Sequence, residues 1–248
     1  MYPLIPLGPL NLSSGGLLLL LGIMVGMFLS ERIARQRGGA ELADQVSRLT
    51  LPVLAGALIG GRLWYGLFNW DLYGRNPGLL LALRVADLAW AGALIGGMAA
   101  AWLWCRWQRC DLAPSADVAA LTMPLVQAIA SLGLLLSGEA FGVPTALPWG
   151  IPLFGTMRHP TQIYLMLAAL ISYGMLQILA RRTLAPGALF AVYLWLQGLT
   201  MLLLEPLRGD ALLTVFGLRI AQIVGLGLML GAMGWWRERM PLHNANVR

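Results

Sequence analysis

Residues 51–68 read LPVLAGALIGGRLWYGLF, an eighteen-residue run with a single formal charge, Arg62. A buried strand needs only four to eight apolar residues, whereas a run near eighteen fits a helix that spans a bilayer. Six more stretches of the same character lie at about Gly16–Leu29, Leu88–Trp104, Val118–Leu136, Pro160–Ala180, Gly187–Leu204 and Arg219–Trp236. Across the 248 residues, 58% are hydrophobic and 11% charged. Soluble domains carry roughly 25% charge, so this chain has too little polar surface to face water. Backbone groups in hydrocarbon must be satisfied within their own segment, which makes the runs helices rather than open strands. The expectation is an all-α integral membrane protein: one polytopic domain over 1–248 with seven transmembrane helices.

Arginine sets the expected orientation. All 17 basic residues are arginine, and none precedes the first run. Arg32, Arg35, Arg37, Arg48, Arg106, Arg109, Arg181, Arg182, Arg237, Arg239 and Arg248 fall on one side if seven helices alternate. Arg75, Arg84, Arg158, Arg208 and Arg219 fall on the other. The positive-inside rule then puts the N-terminus outside and the C-terminus in the cytoplasm. The net charge of +6 is a topology signal, and no nucleic-acid partner is expected. The first run lacks a basic region before it, so it is expected to be retained rather than cleaved. Cys105 and Cys110 lie at the expected cytoplasmic end of the third run, without further thiols or histidines beside them, and read as reduced thiols. No metal or cofactor is expected.

AGALIGG occurs twice, at Ala55–Gly61 and Ala91–Gly97. Each copy carries a small-xxx-small pattern that lets helix backbones approach closely. Two long connecting pieces, about Asn69–Asp87 and Ser137–His159, are rich in Pro, Gly and Trp and read as outer loops at the interface.

Polar groups inside apolar runs carry the functional signal, because a charge at mid-bilayer costs on the order of 3 kcal/mol and faces a cavity or a partner. Arg62 reads either as a guanidinium holding a lipid phosphate or as a snorkelling or paired side chain. The segment Arg158-His159-Pro160-Thr161-Gln162-Ile163-Tyr164 opens the fifth run, with Pro160 in the first helical turn and His159 at the cap. A helix start of this kind offers free N–H groups to an anion. His159 is the one neutral-pH base candidate on the outer side, and a plain capping role stands beside that reading. Glu205 is a candidate ion-pair partner of Arg208 or Arg62. Glu139 and Gln222 fall near the same face. Together Arg62, Glu139, Arg158, Gln162, Tyr164, Glu205, Arg208 and Gln222 suit an anionic phospholipid headgroup near the outer leaflet.

The order of these motifs resembles the prolipoprotein diacylglyceryl transferase family. Five segments carry the likeness: Gly8–Gly22 (GPLNLSSGGLLLLLG), Gly60–Phe68 (GGRLWYGLF), the GALIGG of the third run, Arg158–Tyr164 (RHPTQIY) and Leu202–Asp210 (LLLEPLRGD). The resemblance implies a seven-helix enzyme of the bacterial inner membrane. Its reaction takes a diacylglyceryl group from phosphatidylglycerol to a cysteine of an exported lipoprotein precursor and releases glycerol phosphate. It also implies headgroup roles for Arg62, Glu139, Gln162, Tyr164, Glu205 and Arg208.

The chain departs from the family pattern at several positions. Gly15 stands for a tyrosine, Ala91 for a histidine, Ser131 for an arginine, Leu134 for an asparagine, Leu165 for a glutamate and Met201 for an arginine. Two readings follow: a divergent transferase with His159 as its base, or an inactive homologue that binds phospholipid as a subunit or chaperone of a membrane assembly.

Overall fold

A computed structural model describes residues 4–7, 10–74, 78, 89–210, 217 and 219–239. The chain begins with a hairpin of β1 (Leu4–Leu7) and β2 (Leu10–Ser13), antiparallel with Leu4 opposite Ser13. Helices α1 (Ser14–Phe68), α2 (Trp70–Tyr73), α3 (Trp90–Gln108) and α4 (Leu112–Ser137) follow. A second hairpin, β3 (Ile151–Leu153) with β4 (Thr156–Arg158), precedes α5 (Thr161–Leu179). Then come α6 (Ala188–Leu204), a 3₁₀ turn at Glu205–Leu207, and α7 (Ile220–Arg239). Each of the seven apolar stretches is helical over all but its end residues where described, and the start of the third, at Leu88, lies outside the described residues, as do Arg75, Arg84 and Arg248.

The segment between the first two stretches is itself helical: α1 runs through it and breaks only at Gly38 (φ −140°) and Gly39 (φ 70°). Local ion pairs one turn apart, Glu31–Arg35 and Asp44–Arg48, both at 2.9 Å, support helix on either side of the break. A left-handed φ of 70° suits glycine, which has no Cβ to clash.

Among the described residues, four helices are long and apolar enough to cross a membrane: α1, α4, α5 and the Ala188–Leu207 run that includes α6. Their apolar side chains face outward. Met24 is 68% exposed and Ile171 is 62% exposed, an arrangement that water would oppose and lipid accepts. The protein is therefore an all-α membrane protein.

The chain divides into two compact units, Met1–Ser30 with Ala116–Arg248, and Glu31–Ser115. In the Glu31–Ser115 unit, the two AGALIGG copies pack against each other. A Cβ added at Gly60 would stand 2.8 Å from the Gly96 Cα, and one at Gly96 would stand 2.8 Å from the Gly60 Cα. Real side chains do not approach so closely, so only glycine fits this crossing. In the same unit Gln45 donates to the Asp111 carbonyl and the Ser115 hydroxyl, while Asp111 accepts from the Ala113 N–H and caps α4.

In the larger unit, the first part of α1 lies against α4 through small residues. A Cβ at Gly133 would be 3.2 Å from the Gly15 Cα, and Ser30 and Thr122 hydroxyls meet at 3.0 Å. Helix α6 packs closely along α7, where Gly225 would bring a Cβ to 3.0 Å from the Met201 Cβ. Asp117 ties α4 to the start of α6. Its carboxylate accepts from the Gly187 N–H at 2.8 Å and the Phe190 N–H at 3.0 Å. Gly187 sits at φ 91° and carries no side chain that could cap α6, so the acceptor is supplied from another helix.

Candidate functional site

The polar cluster is organised by the chain segment 141–145, which lies between two neighbours. On one side the Val143 N–H donates to Leu207 O at 2.9 Å and the Gly209 N–H donates to Phe141 O at 2.7 Å. On the other, the Thr145 N–H donates to Met157 O at 2.9 Å and the His159 N–H donates to Val143 O at 3.1 Å. The segment thus brings the Arg208 and Arg158–His159 backbones, far apart in sequence, to its two edges. Gly142 is required there: a Cβ would stand 2.6 Å from the His159 Cβ.

Arg208 sits in a network of carboxylates. Its Nε and Nη2 donate to the two Asp210 oxygens at 3.1 and 3.2 Å, and Nη1 reaches Glu205 Oε2 at 3.4 Å. The expected Glu205–Arg208 pair is present, with both side chains largely buried at 10% and 18% exposure. Burial works against the cation, but the hydrogen bonds and charges of Asp210 and Glu205 outweigh it and hold Arg208 above its ordinary pKa. Arg219 reinforces this corner by donating to the carbonyls of Glu205 and Arg208. Gln222 accepts from the Arg219 N–H at 3.1 Å, so its contribution is to hold Arg219.

The start of α5 differs by one residue from expectation. Pro160 (φ −78°, ψ 66°) is the residue before the first helical one, so His159 lies just outside the cap position. Gln162 is fully buried and donates through Nε2 to the Glu139 carbonyl at 2.7 Å, and its Oε1 has no donor. Glu139 thus joins the cluster through its backbone, and its side chain is exposed. Thr161 donates to the Ala140 carbonyl, fixing the same turn from the other side.

Tyr164, Trp149 and His159 form a short relay. The Trp149 indole N–H donates to the Tyr164 hydroxyl at 2.7 Å, and that hydroxyl lies 3.4 Å from His159 Nδ1. Either the Tyr164 hydroxyl or Nδ1 can be the donor in that contact, according to the tautomer of the ring. Arg158 donates to the carbonyls of Leu153 and Gly142 at 3.2 and 3.1 Å and lies over the Phe141 ring at 5.1 Å. Arg62 is buried on α1 within the Glu31–Ser115 unit.

Sequence reading missed three parts of this site. Asp210 stands two residues after Arg208, a spacing that signals a pair once Arg208 is known to fold back. Arg219 had entered only as a topology marker. The third part is a cavity of about 180 Å³ between α4, α5 and α6, for which no local signal exists. Ser131, Leu134 and Leu165, read from the sequence as departures from the family pattern, line it. A fourth, Met201, is buried on α6, and a fifth, Gly15, lies at the close α1–α4 contact.

The chain matches the family described as prolipoprotein diacylglyceryl transferase over residues 3–237. It is 34% identical to a phosphatidylglycerol–prolipoprotein diacylglyceryl transferase of Trichormus variabilis, covering 93% of this chain and 87% of that protein. A protein of the same name from Gloeobacter violaceus is also 34% identical, over 94% of this chain and 93% of its own length. One from Clostridioides difficile is 31% identical over 88% and 87%. A match along nearly the whole chain, at this identity and to proteins of one name, leaves one conclusion: the chain belongs to the prolipoprotein diacylglyceryl transferase family.

Proposed function

We propose that the protein holds an anionic phospholipid by its headgroup at the 141–145 cluster and transfers the diacylglyceryl group to a cysteine thiol of an exported lipoprotein precursor. In that reaction the cysteine sulfur bonds to the glyceryl carbon while the carbon–oxygen bond to phosphate breaks. Glycerol phosphate leaves with the electron pair, and the thiol proton passes to a base. The observation that supports this reading is the pairing of Arg208 and Arg158 segments on opposite edges of one backbone strip, which offers two guanidinium groups to a leaving phosphate. Gln162, Tyr164, Glu139, Glu205 and Gln222 set the positions of these groups. His159 is the base candidate, through whichever ring nitrogen is bare when substrate displaces Tyr164. Arg62 is proposed as a further phosphate contact on the strength of its GGRLWYGLF motif.

In this reading seven helices cross the bacterial inner membrane, with the N-terminus outside and the cluster at the outer leaflet. The arginine distribution and the family's membrane reaction support it.

A second reading has its own observation: the lining positions Ser131, Leu134 and Leu165 carry no charge. An inactive relative that binds phospholipid within a membrane assembly would need none. The test is diacylglyceryl transfer by the purified protein from phosphatidylglycerol to a lipobox peptide. Thiol-linked lipid above background, lost in Arg208→Ala, is the expected result. Retained phosphatidylglycerol without any thioether product would overturn catalysis in favour of the binding subunit.

A further inference from the structure

The end of the bundle opposite the 141–145 cluster carries a groove of about 230 Å³ along the antiparallel α6–α7 pair. Two buried alanines, Ala191 of α6 and Ala232 of α7, make its floor, and two exposed tryptophans, Trp195 and Trp236, make its walls. On each helix the alanine and the tryptophan are four residues apart and share one face. The alanines keep the space open, since a larger side chain at either would enter it. Arg237 is the single charged residue of the lining; it contributes only its apolar stem and leaves the exposed guanidinium at the mouth. Nearer the cluster, a Cβ at Gly225 would stand 2.8 Å from the Gly198 carbonyl oxygen, so the helices close up there. At roughly 1.5 Å per residue, Gln222 and Arg237 are about 22 Å apart along α7. The groove and the cluster are separate sites.

The mouth of the groove is basic. Trp235 donates its indole N–H to the Gly187 carbonyl at 3.0 Å, which sets the last turns of α7 beside the α5–α6 connection. That connection, residues 180–187, holds exposed Arg181 and Arg182 and no acid. Asp117, which reaches it from α4, is taken up by the Gly187 and Phe190 N–H groups. Three arginines thus gather at the end where an apolar groove opens, a charge complement to phosphate. Basic pockets between membrane helices recognise anionic lipid headgroups in this way, and tryptophans settle at the same interfacial depth. The floor and walls present no polar atom to the space, so what enters it is hydrocarbon. The volume lies below the ~300–1,000 Å³ of pockets that enclose drug-sized ligands and suits one alkyl chain. A partner helix would need small residues on the rim for its backbone to approach, and the rim here is tryptophan.

We propose that this groove holds one acyl chain of an anionic phospholipid from the leaflet opposite the 141–145 cluster, its phosphate resting on Arg237 with Arg181 and Arg182 beside it. The lipid is a bound component and not a substrate, because its phosphate lies at the other end of α6 and α7 from Arg208. A phosphate shared by these arginines joins α7 to the α5–α6 connection, where Trp235 already ties them. The inference goes beyond the transfer reading and does not depend on it.

The test uses the full chain in phosphatidylcholine nanodiscs containing trace phosphatidic acid with a photoreactive group on one acyl chain. Crosslinks are mapped by peptide and scaled to those on the exposed α5 face from Ile171 to Ile178, which reads plain contact with bulk lipid. Labelling of residues 191–195 and 232–237 should exceed that face severalfold, and unlabelled phosphatidic acid should compete it while added phosphatidylcholine should not. Arg237→Gln should lower it about fivefold, the worth of one basic residue near an anionic headgroup. Ala232→Leu, which fills the floor, should remove the excess altogether. Should that variant fail to fold by thermal melt, Arg237→Gln, a change at an exposed position, and the competition series decide. Groove labelling no higher than on α5, equal competition by phosphatidylcholine, or crosslinks from the groove to a second copy of the chain would each overturn the proposal. Diacylglyceryl transfer scored on the same samples keeps the two ideas apart. Groove labelling without transfer removes only catalysis, and transfer without groove labelling removes only this proposal.

Discussion

Replacing Asp117 by alanine removes both acceptors that the start of α6 draws from α4. The two hydrogen bonds are 2.8 and 3.0 Å, the carboxylate is 7% exposed, and Gly187 is buried. An orphaned buried donor costs about 1–3 kcal/mol. Placing Gly187 near the top of that range and the half-buried Phe190 near the bottom gives a total of about 3–4 kcal/mol. For a chain of this size about 2–4 °C of melting temperature is lost per kcal/mol, so Asp117→Ala should lower it by roughly 6–16 °C in detergent. Asp117→Asn keeps one oxygen acceptor and should lose about half as much, including the ~0.3–1 kcal/mol that a negative charge gains at a helix N-terminus. Scanning fluorimetry on intrinsic tryptophan reads this directly. Asp44→Ala, which breaks only an exposed pair with Arg48, serves as a control and should move by about 1–2 °C. A shift below about 3 °C for Asp117→Ala would show that the carboxylate is not what holds α4 to α6, and the reasoning would fail.

Three further outcomes are expected. Gly96→Leu should abolish the folded protein, because its Cβ already meets backbone, whereas Gly231→Ala on α7, with open space around it, should raise stability by about 0.5–1 kcal/mol; thermal melts of both check this. Arg208→Ala should weaken phosphatidylglycerol binding about tenfold or more, and Arg208→Lys should recover only part, since a lysine keeps the charge but not the two-pronged pairing with Asp210; lipid-retention assays after purification measure it. A membrane-impermeant maleimide should label Cys110 only in inverted vesicles and leave the buried Cys105 unlabelled, and labelling of intact cells would reverse the proposed orientation.

Hydropathy made the helices legible because it is a local property: a run such as 118–136 needs no knowledge of its neighbours. Motif order made the family legible for the same reason. The helical 31–50 connector was harder to read. Its Glu31–Arg35 and Asp44–Arg48 spacings favour helix, but the glycine pair between them argues for a turn, and both statements hold. Glu205 and Arg208 were found as a pair because they are three residues apart. The role of Asp117 was not found because its partners are 70 and 73 residues away. The 141–145 strip joins main-chain groups, which leave no trace in side-chain identity, so the juxtaposition of Arg158 and Arg208 is visible only in the fold. The cavity is further from reach, since Gln127, Ser131, Ser172 and Thr200 each look like ordinary membrane-helix polarity until three helices meet.

The glycine crossing of α1 and α3 has a consequence for how this sequence can change. When a protein core receives a larger side chain, a neighbour can often shrink to make room. At Gly60 and Gly96 the residues met are already glycines, Gly92 and Gly96 on one side and Gly56 and Gly60 on the other, and the atoms met are backbone. No second substitution can give way there. A lineage that loses one of these glycines has only reversal or displacement of a whole helix open to it, so the seam should remain fixed in descendants even where the chemistry around the cavity drifts.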